Sequence, residues 1–160
     1  MRKAVWWSIL VAALAWTPGV CTAASLGPAF TRAALPPAAS VVRLAQAGDA
    51  AAQTRLGYMY ETGRGMPQNY HYAAVWYTRA AQQGDPGAQY LLGFLFDKGF
   101  GVPADHIEAQ KWLILAASAA AQPDADIYVR MRNAVATKLT RSELDEAQFR
   151  ASCWVPVREH

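Results

Sequence analysis

The side chains that could do chemistry in this 160-residue chain are few and scattered. His71, His106 and His160 show no metal-ligand spacing with one another. Asp105 and Glu108 resemble a carboxylate pair for acid–base catalysis, but capping and the helix dipole also explain acids in a first helical turn. We therefore predict no catalytic residue, no metal site and no cofactor.

Two glycine-rich stretches, 63–65 and 99–101, are similar to the start of a phosphate-binding loop. Neither continues to a third glycine, because Gln68 and Ala104 stand at that position. Each stretch also follows a predicted helix instead of a strand, so both are interpreted as turns.

The formal net charge of +3 depends largely on the first three residues. Without Arg2 and Lys3 it falls by two, from +3 to +1. No block of lysine or arginine remains elsewhere, so the charge pattern argues against a nucleic-acid partner.

The first 24 residues have the pattern of an export signal. Two cations precede an apolar run over 4–16, and small residues follow at 22–24. The apolar run is shorter than the ~20 residues that span a bilayer. We therefore expect the signal to be cleaved, leaving no membrane span. The alternatives are an uncleaved anchor or lipidation at Cys21. The proline-containing segment 25–39 is predicted to be a flexible linker. We expect an exported protein, periplasmic before extracellular.

The centre of the chain contains an internal repeat of 36 residues. Residues 48–83 align without a gap with residues 84–119, and 13 of the 36 positions are identical. The identities include Leu56 and Leu92, Gly57 and Gly93, Pro67 and Pro103, and Trp76 and Trp112.

Each repeat is predicted to form two helices. Ala52, Leu56 and Tyr60 recur at the helical period, and the glycines at 63–65 end that helix. In repeat 1 the second helix begins near Asn69, a good N-cap, and buries Ala73, Trp76 and Ala80. Gly57 and Gly93 lie inside first helices, where glycine costs about 1 kcal/mol relative to alanine. We therefore predict very close helix packing at both glycines.

These positions form the pattern A-x-x-x-L-G-x-x-[YF]-x-x-G-x-G-[MV]-P, followed by [ND]-x-x-x-A-x-x-W-x-x-x-A-A. The pattern resembles the Sel1-like repeat, a relative of the tetratricopeptide repeat. The resemblance covers 48–119 and implies an all-α fold, a short right-handed α-solenoid, with a scaffold or adaptor role.

The flanking segments are interpreted as capping material. Residues 40–47 resemble the end of a degenerate preceding repeat, and residues 120–160 are predicted to form capping helices and a tail. In that region a helix over 126–139 would bury Ile127, Met131, Val135 and Ala134, and Thr140 with Glu143 matches a capping box that opens the last helix.

The first helices of such an array usually line a concave surface. We name the side chains predicted there, off the buried stripe, the first-helix face: Arg55, Tyr58, Met59, Tyr90, Leu91 and Phe94, with Thr54 and Leu95 beside them. Aromatic and arginine side chains are common interface anchors, so this face is predicted to bind a peptide or helix of a partner protein. For any one of these residues, a place in the core is the competing interpretation.

Two other functions stay open at this point. Some cysteine-rich members of the family are associated with β-lactam or peptidoglycan-like compounds, but their paired cysteines are missing here. Alternatively the chain is a structural dimer, joined through the groove or through Cys153; a monomer or weak dimer is expected. A buried, inert Cys153 is the preferred interpretation, because unpaired cysteine is often buried.

Overall fold

The structure is a computed structural model that describes residues 38–157, and seven α-helices account for most of this range. They are α1 (Ala38–Gln46), α2 (Ala50–Thr62), α3 (Tyr70–Gln82), α4 (Pro86–Lys98), α5 (His106–Ala119), α6 (Asp124–Ala136) and α7 (Arg141–Ser152). No strand occurs between residues 38 and 157, as the all-α prediction required. The predicted signal peptide, 1–24, lies outside the described residues, as do 25–37 of the predicted linker.

Each helix from α1 to α5 packs against the next one along the chain, and α7 packs against α5. Helix pairs stacked in this order form an α-solenoid, because each pair covers the apolar face that its neighbour leaves open. Helix α1 occupies the segment predicted as a capping helix, 40–47, but begins two residues earlier, inside the predicted linker. None of the described helices is both long and apolar enough to cross a bilayer.

The helix ends are capped by short polar side chains and by glycine. Asp49 and Asp85 cap α2 and α4, and each carboxylate accepts a hydrogen bond from the backbone N–H three residues later at 2.6 Å. Asn69 caps α3 in the same way, at 3.1 Å. Gly63 and Gly99 end the first helices with φ of 73° and 70°, a left-handed conformation that glycine adopts without steric cost.

The close packing predicted at Gly57 and Gly93 is confirmed. A Cβ on Gly57 would lie 2.6 Å from the ring of Tyr77, and a Cβ on Gly93 would lie 2.8 Å from Cγ of Leu113. The two side chains that meet these glycines, on α3 and α5, are fully buried. Both positions therefore require glycine, because the facing side chain occupies the space that a Cβ would need.

Most of the predicted stripe on the second helices is buried, with one exception. Ala73 and Ala80 are completely buried and Trp112 is 5% exposed, whereas Trp76 is only half-buried. The largest fully buried side chain of the described residues is Tyr77, which was not part of the predicted stripe. Tyr77 is buried because its ring fills the space beside Gly57. The spacing of apolar residues along α3 does not show which side chain fills that space.

The predictions for α6 are partly wrong. Val135 is buried and Met131 packs against it, as expected, but Ile127 is 49% exposed and Ala134 is also exposed. Helix α6 packs mainly on α5, so only a narrow part of its surface is covered. The capping box of α7 is confirmed, since Thr140 and Glu143 bond each other's backbone N–H groups.

The chain after α7 turns back onto the array instead of pointing into solvent. Trp154 packs against the main core cluster, and its ring lies edge-to-face on that of Trp112 with centroids 6.3 Å apart. Cys153, the preceding residue, is exposed. The expectation of a buried Cys153 is therefore wrong, because Cys153 ends α7 on the side away from its buried Ala147 and Ala151.

Candidate functional site

The six predicted residues of the first-helix face differ in exposure. Arg55 is exposed and Tyr58 is 41% exposed, so both are accessible on α2. The other four are half-buried: Met59, Tyr90, Leu91 and Phe94. Leu95, predicted beside them, is completely buried and belongs to the core, because α4 is covered by helices on both sides along the repeat.

Two equivalent rings of this face each have a cation nearby. The guanidinium of Arg64 lies 5.8 Å from the ring centre of Tyr58, and Nζ of Lys98 lies 5.9 Å from the ring centre of Phe94. Tyr58 and Phe94 are 36 residues apart, but Arg64 and Lys98 are 34 residues apart, so equivalent rings meet cations from different positions of the repeat. Positive charge beside a partly exposed ring favours a ligand that combines an apolar group with a carboxylate.

The face extends onto α6, which the sequence had not indicated. Tyr90 stacks on Tyr128, with centroids 4.6 Å apart and an interplanar angle of 18°. Burial, with the negative charges of Asp124 and Asp85, raises the pKa of Tyr128 above its ordinary value. Its hydroxyl is therefore a neutral donor at physiological pH. A partner of this face would meet a tyrosine pair as well as the predicted side chains.

Met59 and Leu91 are anchored in the protein interior. Met59 packs on the cluster around Val41 and Leu56, and Leu91 packs on the main core cluster. Thr54 donates a hydrogen bond to the Asp85 carboxylate at 3.2 Å, which links α2 to the cap of α4. These side chains support the face, and its accessible part is centred on Arg55 and Tyr58.

A charged cluster that the sequence had not indicated lies at the end of α4. Asp97 is 5% exposed, and its carboxylate contacts Nζ of Lys138 at 2.5 Å, Nζ of Lys98 at 3.0 Å and Nδ1 of His106 at 3.3 Å. Burial acts to raise the pKa of Asp97, but the hydrogen bonds and charges of the two lysines outweigh it and lower the pKa. The cluster ties α4 to α5 and to the segment between α6 and α7.

Repeat 1 has an acid at the equivalent position with a different partner. Glu61 accepts a hydrogen bond from the Tyr77 hydroxyl at 2.5 Å. Burial, followed by the hydrogen bond and charge of Glu61, raises the pKa of Tyr77 above its ordinary value. The only signal in the sequence was that Glu61 and Asp97 are 36 residues apart, and it does not specify their partners.

The acids considered for catalysis have structural contacts. The Asp105 carboxylate accepts hydrogen bonds from two backbone N–H groups of α5, at 2.9 and 3.0 Å. Glu108 pairs with Lys111 and with Arg150, both at 2.8 Å. Among residues 38–157, no three histidine, cysteine or acidic side chains come together in a way that could hold a metal ion.

Comparison with known proteins identifies the repeat. The family model for the Sel1 repeat matches residues 50–85 and 86–120, about two residues later than the repeat boundaries predicted here. No curated protein matches the sequence.

Two solved structures are similar to this chain. One is c5321, described as a protective antigen of uropathogenic Escherichia coli with an SLR fold; it is 30% identical over 73% of this chain and 24% of its own, with a TM-score of 0.67. The other is a Sel1 repeat protein from Oxalobacter formigenes, 38% identical over 56% of this chain and 26% of its own, with a TM-score of 0.52. This chain thus spans about a quarter of either protein.

Sel1 repeats generally serve as protein–protein interaction modules and are typically non-enzymatic scaffolds. The 36-residue alignment, the paired helices and the matched repeats agree on the same architecture. Residues 50–120 of this chain therefore form two Sel1 repeats within an all-α solenoid.

Proposed function

We propose that this protein is an exported scaffold or adaptor whose first-helix face binds a peptide or helix of a partner protein. The observation that carries the proposal is the exposed Tyr58 with Arg55 on the same helix and Arg64 over its ring. Tyrosine and arginine dominate the binding energy of many interfaces, because they supply a large apolar surface together with polar groups.

The charges around Tyr58 favour an acidic partner segment. Arg55 and Arg64 are exposed on or directly after α2, while the acid in the same helix, Glu61, is bonded to Tyr77. The carboxylate of Asp49 is bonded to the backbone as the cap of α2. Complementary charge speeds association and selects the partner, so a partner helix should present an acidic edge and an apolar side chain towards Tyr58.

Export is part of the proposal and rests on the N-terminal sequence pattern alone. An oxidising compartment such as the periplasm is compatible with a chain whose described part has a single cysteine and is stabilised by packing. Export is tested by measuring the mass of the mature protein from the native cell, since cleavage after Ala23 or Ala24 would remove the first 23 or 24 residues.

The binding function is tested by photo-crosslinking in the native cell. A photoreactive phenylalanine analogue is placed at position 58, and at position 149 as the matched control, since Phe149 is an exposed aromatic residue of α7 (64%). Adducts are identified by mass spectrometry, and the purified candidate is titrated against the wild-type chain and against Tyr58→Ala with Arg55→Ala. We expect a specific adduct at position 58 and an affinity loss of at least about tenfold in the double variant.

The proposal fails in either of two cases. Equal adducts at positions 58 and 149 would show that the first-helix face has no specific partner. An unchanged affinity in the double variant, with helicity and melting temperature preserved, would place the binding surface elsewhere. Because both substituted side chains are exposed, the variant should fold normally.

A further inference from the structure

The last described residues of the chain, 154–157, pack on the turn between α3 and α4, and we name them the tail. The Trp154 ring lies edge-to-face on Trp112, and the indole also lies over Gly84, where a Cβ would be 3.7 Å from it. Pro156 contacts the same glycine, at 3.8 Å from that Cβ position. The turn therefore receives a tryptophan and a proline two residues apart.

A backbone hydrogen bond fixes the direction of the tail. The N–H of Val157 donates to the carbonyl oxygen of Gln82, the last residue of α3, at 2.8 Å. A helix ends with carbonyl groups that lack intrahelical partners, so an extended segment can bond to one of them. We name the surface under the tail the tail site, and it consists of Gln82, Gly84 and Trp112.

The turn in the tail site takes its shape from the repeat and not from the tail. The N–H of Gly84 donates to Ala81 at 3.0 Å and the N–H of Asp85 donates to Ala80 at 3.2 Å, so the turn closes the end of α3 by itself. The turn at Gly48 has nearly the same φ, 93° against 94° at Gly84, although the tail packs only on the latter. The turn should therefore keep its conformation when the tail leaves.

The ring of Trp112 is likewise held by contacts other than the tail. It belongs to the main core cluster, and Nζ of Lys111 lies 4.4 Å from its centre. That ammonium is fixed by Glu108, at 2.8 Å. The tail site is therefore preorganised, which lowers the entropy cost of binding a segment there.

The tail, in contrast, is attached by a small surface. Trp154 is half-buried, but Pro156 is exposed, and Val155 and Val157 are 72% and 65% exposed. A segment that buries little apolar area opens at a lower free energy than the helices beneath it. The tail and the tail site thus resemble a ligand and its receptor that are joined in one chain.

We propose that the tail site is a peptide-binding site that the tail closes within its own chain, and that it accepts an extended segment of a partner protein with tryptophan two residues before proline. The partner's indole replaces Trp154 on Trp112 and Gly84. The N–H of the residue after the partner's proline donates to the Gln82 carbonyl oxygen, so the tail competes with the partner. The site is separate from the first-helix face and does not depend on the function proposed for it.

The test uses the full chain and a fluorescein-labelled peptide amide, Ser-Trp-Val-Pro-Val, which copies the tail with serine in place of Cys153. Fluorescence anisotropy is measured with the wild-type chain and with Trp154→Ala. A tethered segment competes at a roughly millimolar effective concentration. We therefore expect one peptide per chain, bound at least about tenfold more tightly by Trp154→Ala than by the wild type.

Two controls establish specificity. A peptide with alanine in place of tryptophan should bind Trp154→Ala at least about tenfold more weakly, because the indole is the anchor. Phe149→Ala, which removes a 64% exposed ring from α7, should bind the peptide as the wild type does.

A second variant releases the tail without altering the core. Because Trp154 packs on the main core cluster, folding of Trp154→Ala is checked by circular dichroism. Val157→Pro removes the N–H that bonds to Gln82 and changes only an exposed side chain, so it should also tighten peptide binding. A peptide with an ester in place of the N–H of its last valine should bind more weakly, because it lacks the same donor.

Three outcomes overturn the proposal. The first is no saturable binding of the peptide to Trp154→Ala and Val157→Pro, with helicity preserved. The second is equal affinity of the wild type and both variants, which would show that the peptide binds elsewhere. The third is a concentration-dependent oligomer that Trp154→Ala dissociates, which would assign the site to the tail of a second copy.

Discussion

Repeats 1 and 2 have the same glycine, alanine and leucine framework but different polar contacts. At the end of the first helix, Glu61 bonds to a tyrosine hydroxyl inside its own repeat, whereas Asp97 pairs with two lysines and a histidine. One of those lysines, Lys138, follows α6 and comes from outside the repeat. A position shared by the repeats therefore acquires its chemistry from its neighbours.

The glutamines at the start of the first helices show the same difference. Gln53 and Gln89 are both buried, and each side-chain N–H donates to a backbone carbonyl eight residues earlier, at 3.2 Å in both cases. The Gln53 side-chain oxygen also accepts from Gln83 at 2.8 Å, but the Gln89 oxygen has no partner, since residue 119 is alanine. Repeat 2 thus has an unsatisfied acceptor where repeat 1 has a hydrogen bond.

The largest expected effect comes from adding a methyl group at the shared glycines. Gly57→Ala places a Cβ against the fully buried Tyr77 ring, and this clash outweighs the gain in helix propensity of about 1 kcal/mol. We expect a net loss of about 2–3 kcal/mol in the free energy of unfolding, measured by urea denaturation.

Gly93→Ala sharpens the comparison of the repeats. Its Cβ would meet the Ala109 carbonyl oxygen at 3.1 Å as well as the Leu113 side chain, so the backbone must move. We therefore expect a loss in the free energy of unfolding at least as large as that of Gly57→Ala. Gln148→Ala, on the exposed side of α7, is the control for altered helix propensity. If Gly57→Ala leaves the free energy of unfolding unchanged, the ring of Tyr77 moves aside freely, which contradicts the close packing at Gly57.

The next largest effect should follow from removing the charge of Asp97. Asp97→Asn removes charge-assisted hydrogen bonds, and we expect a loss of about 2 kcal/mol at neutral pH. Glu61→Gln is the matched change in repeat 1, and its loss should be below about 1 kcal/mol, because the amide oxygen still accepts from the Tyr77 hydroxyl.

Asp97 also predicts a pH dependence. Its pKa is lowered in the folded state, so its contribution to stability is present above the unfolded value of about 3.9 and is lost as the pH falls through the folded value. Melting temperatures measured between pH 7 and pH 3 should fall less steeply for Asp97→Asn than for the wild-type chain. If the melting temperatures of the two proteins fall equally steeply with pH, the pKa of Asp97 is not lowered in the folded state.

The smallest effect concerns the unsatisfied oxygen of Gln89. Gln83→Ala removes the partner of Gln53 and should cost about 1 kcal/mol. Ala119→Gln offers Gln89 the equivalent donor and should increase the free energy of unfolding by about 0.5 kcal/mol. If both changes shift the urea midpoint in the same direction, the two glutamines are not equivalent in the way the alignment suggests.

Much of the fold could be predicted from the sequence, and the reasons are local. Asp49, Asn69 and Gly63 mark helix ends, because the capping oxygen and the left-handed glycine act within a few residues. The candidate face was predicted less well. Leu95, expected there, is core, and Tyr128, which extends the face, was not predicted.

The sequence by itself determined the helical repeat, its period, its caps and the glycines that require close packing, because these follow from residue type and spacing along one chain. Only the tertiary structure decided that Tyr77 fills the space at Gly57, that Asp97 meets Lys138, and that the tail returns to Gly84. These contacts join residues between 20 and 72 positions apart, and they depend on how the helices stack. Periodicity specifies which face of a helix is buried, but not which side chain will cover it.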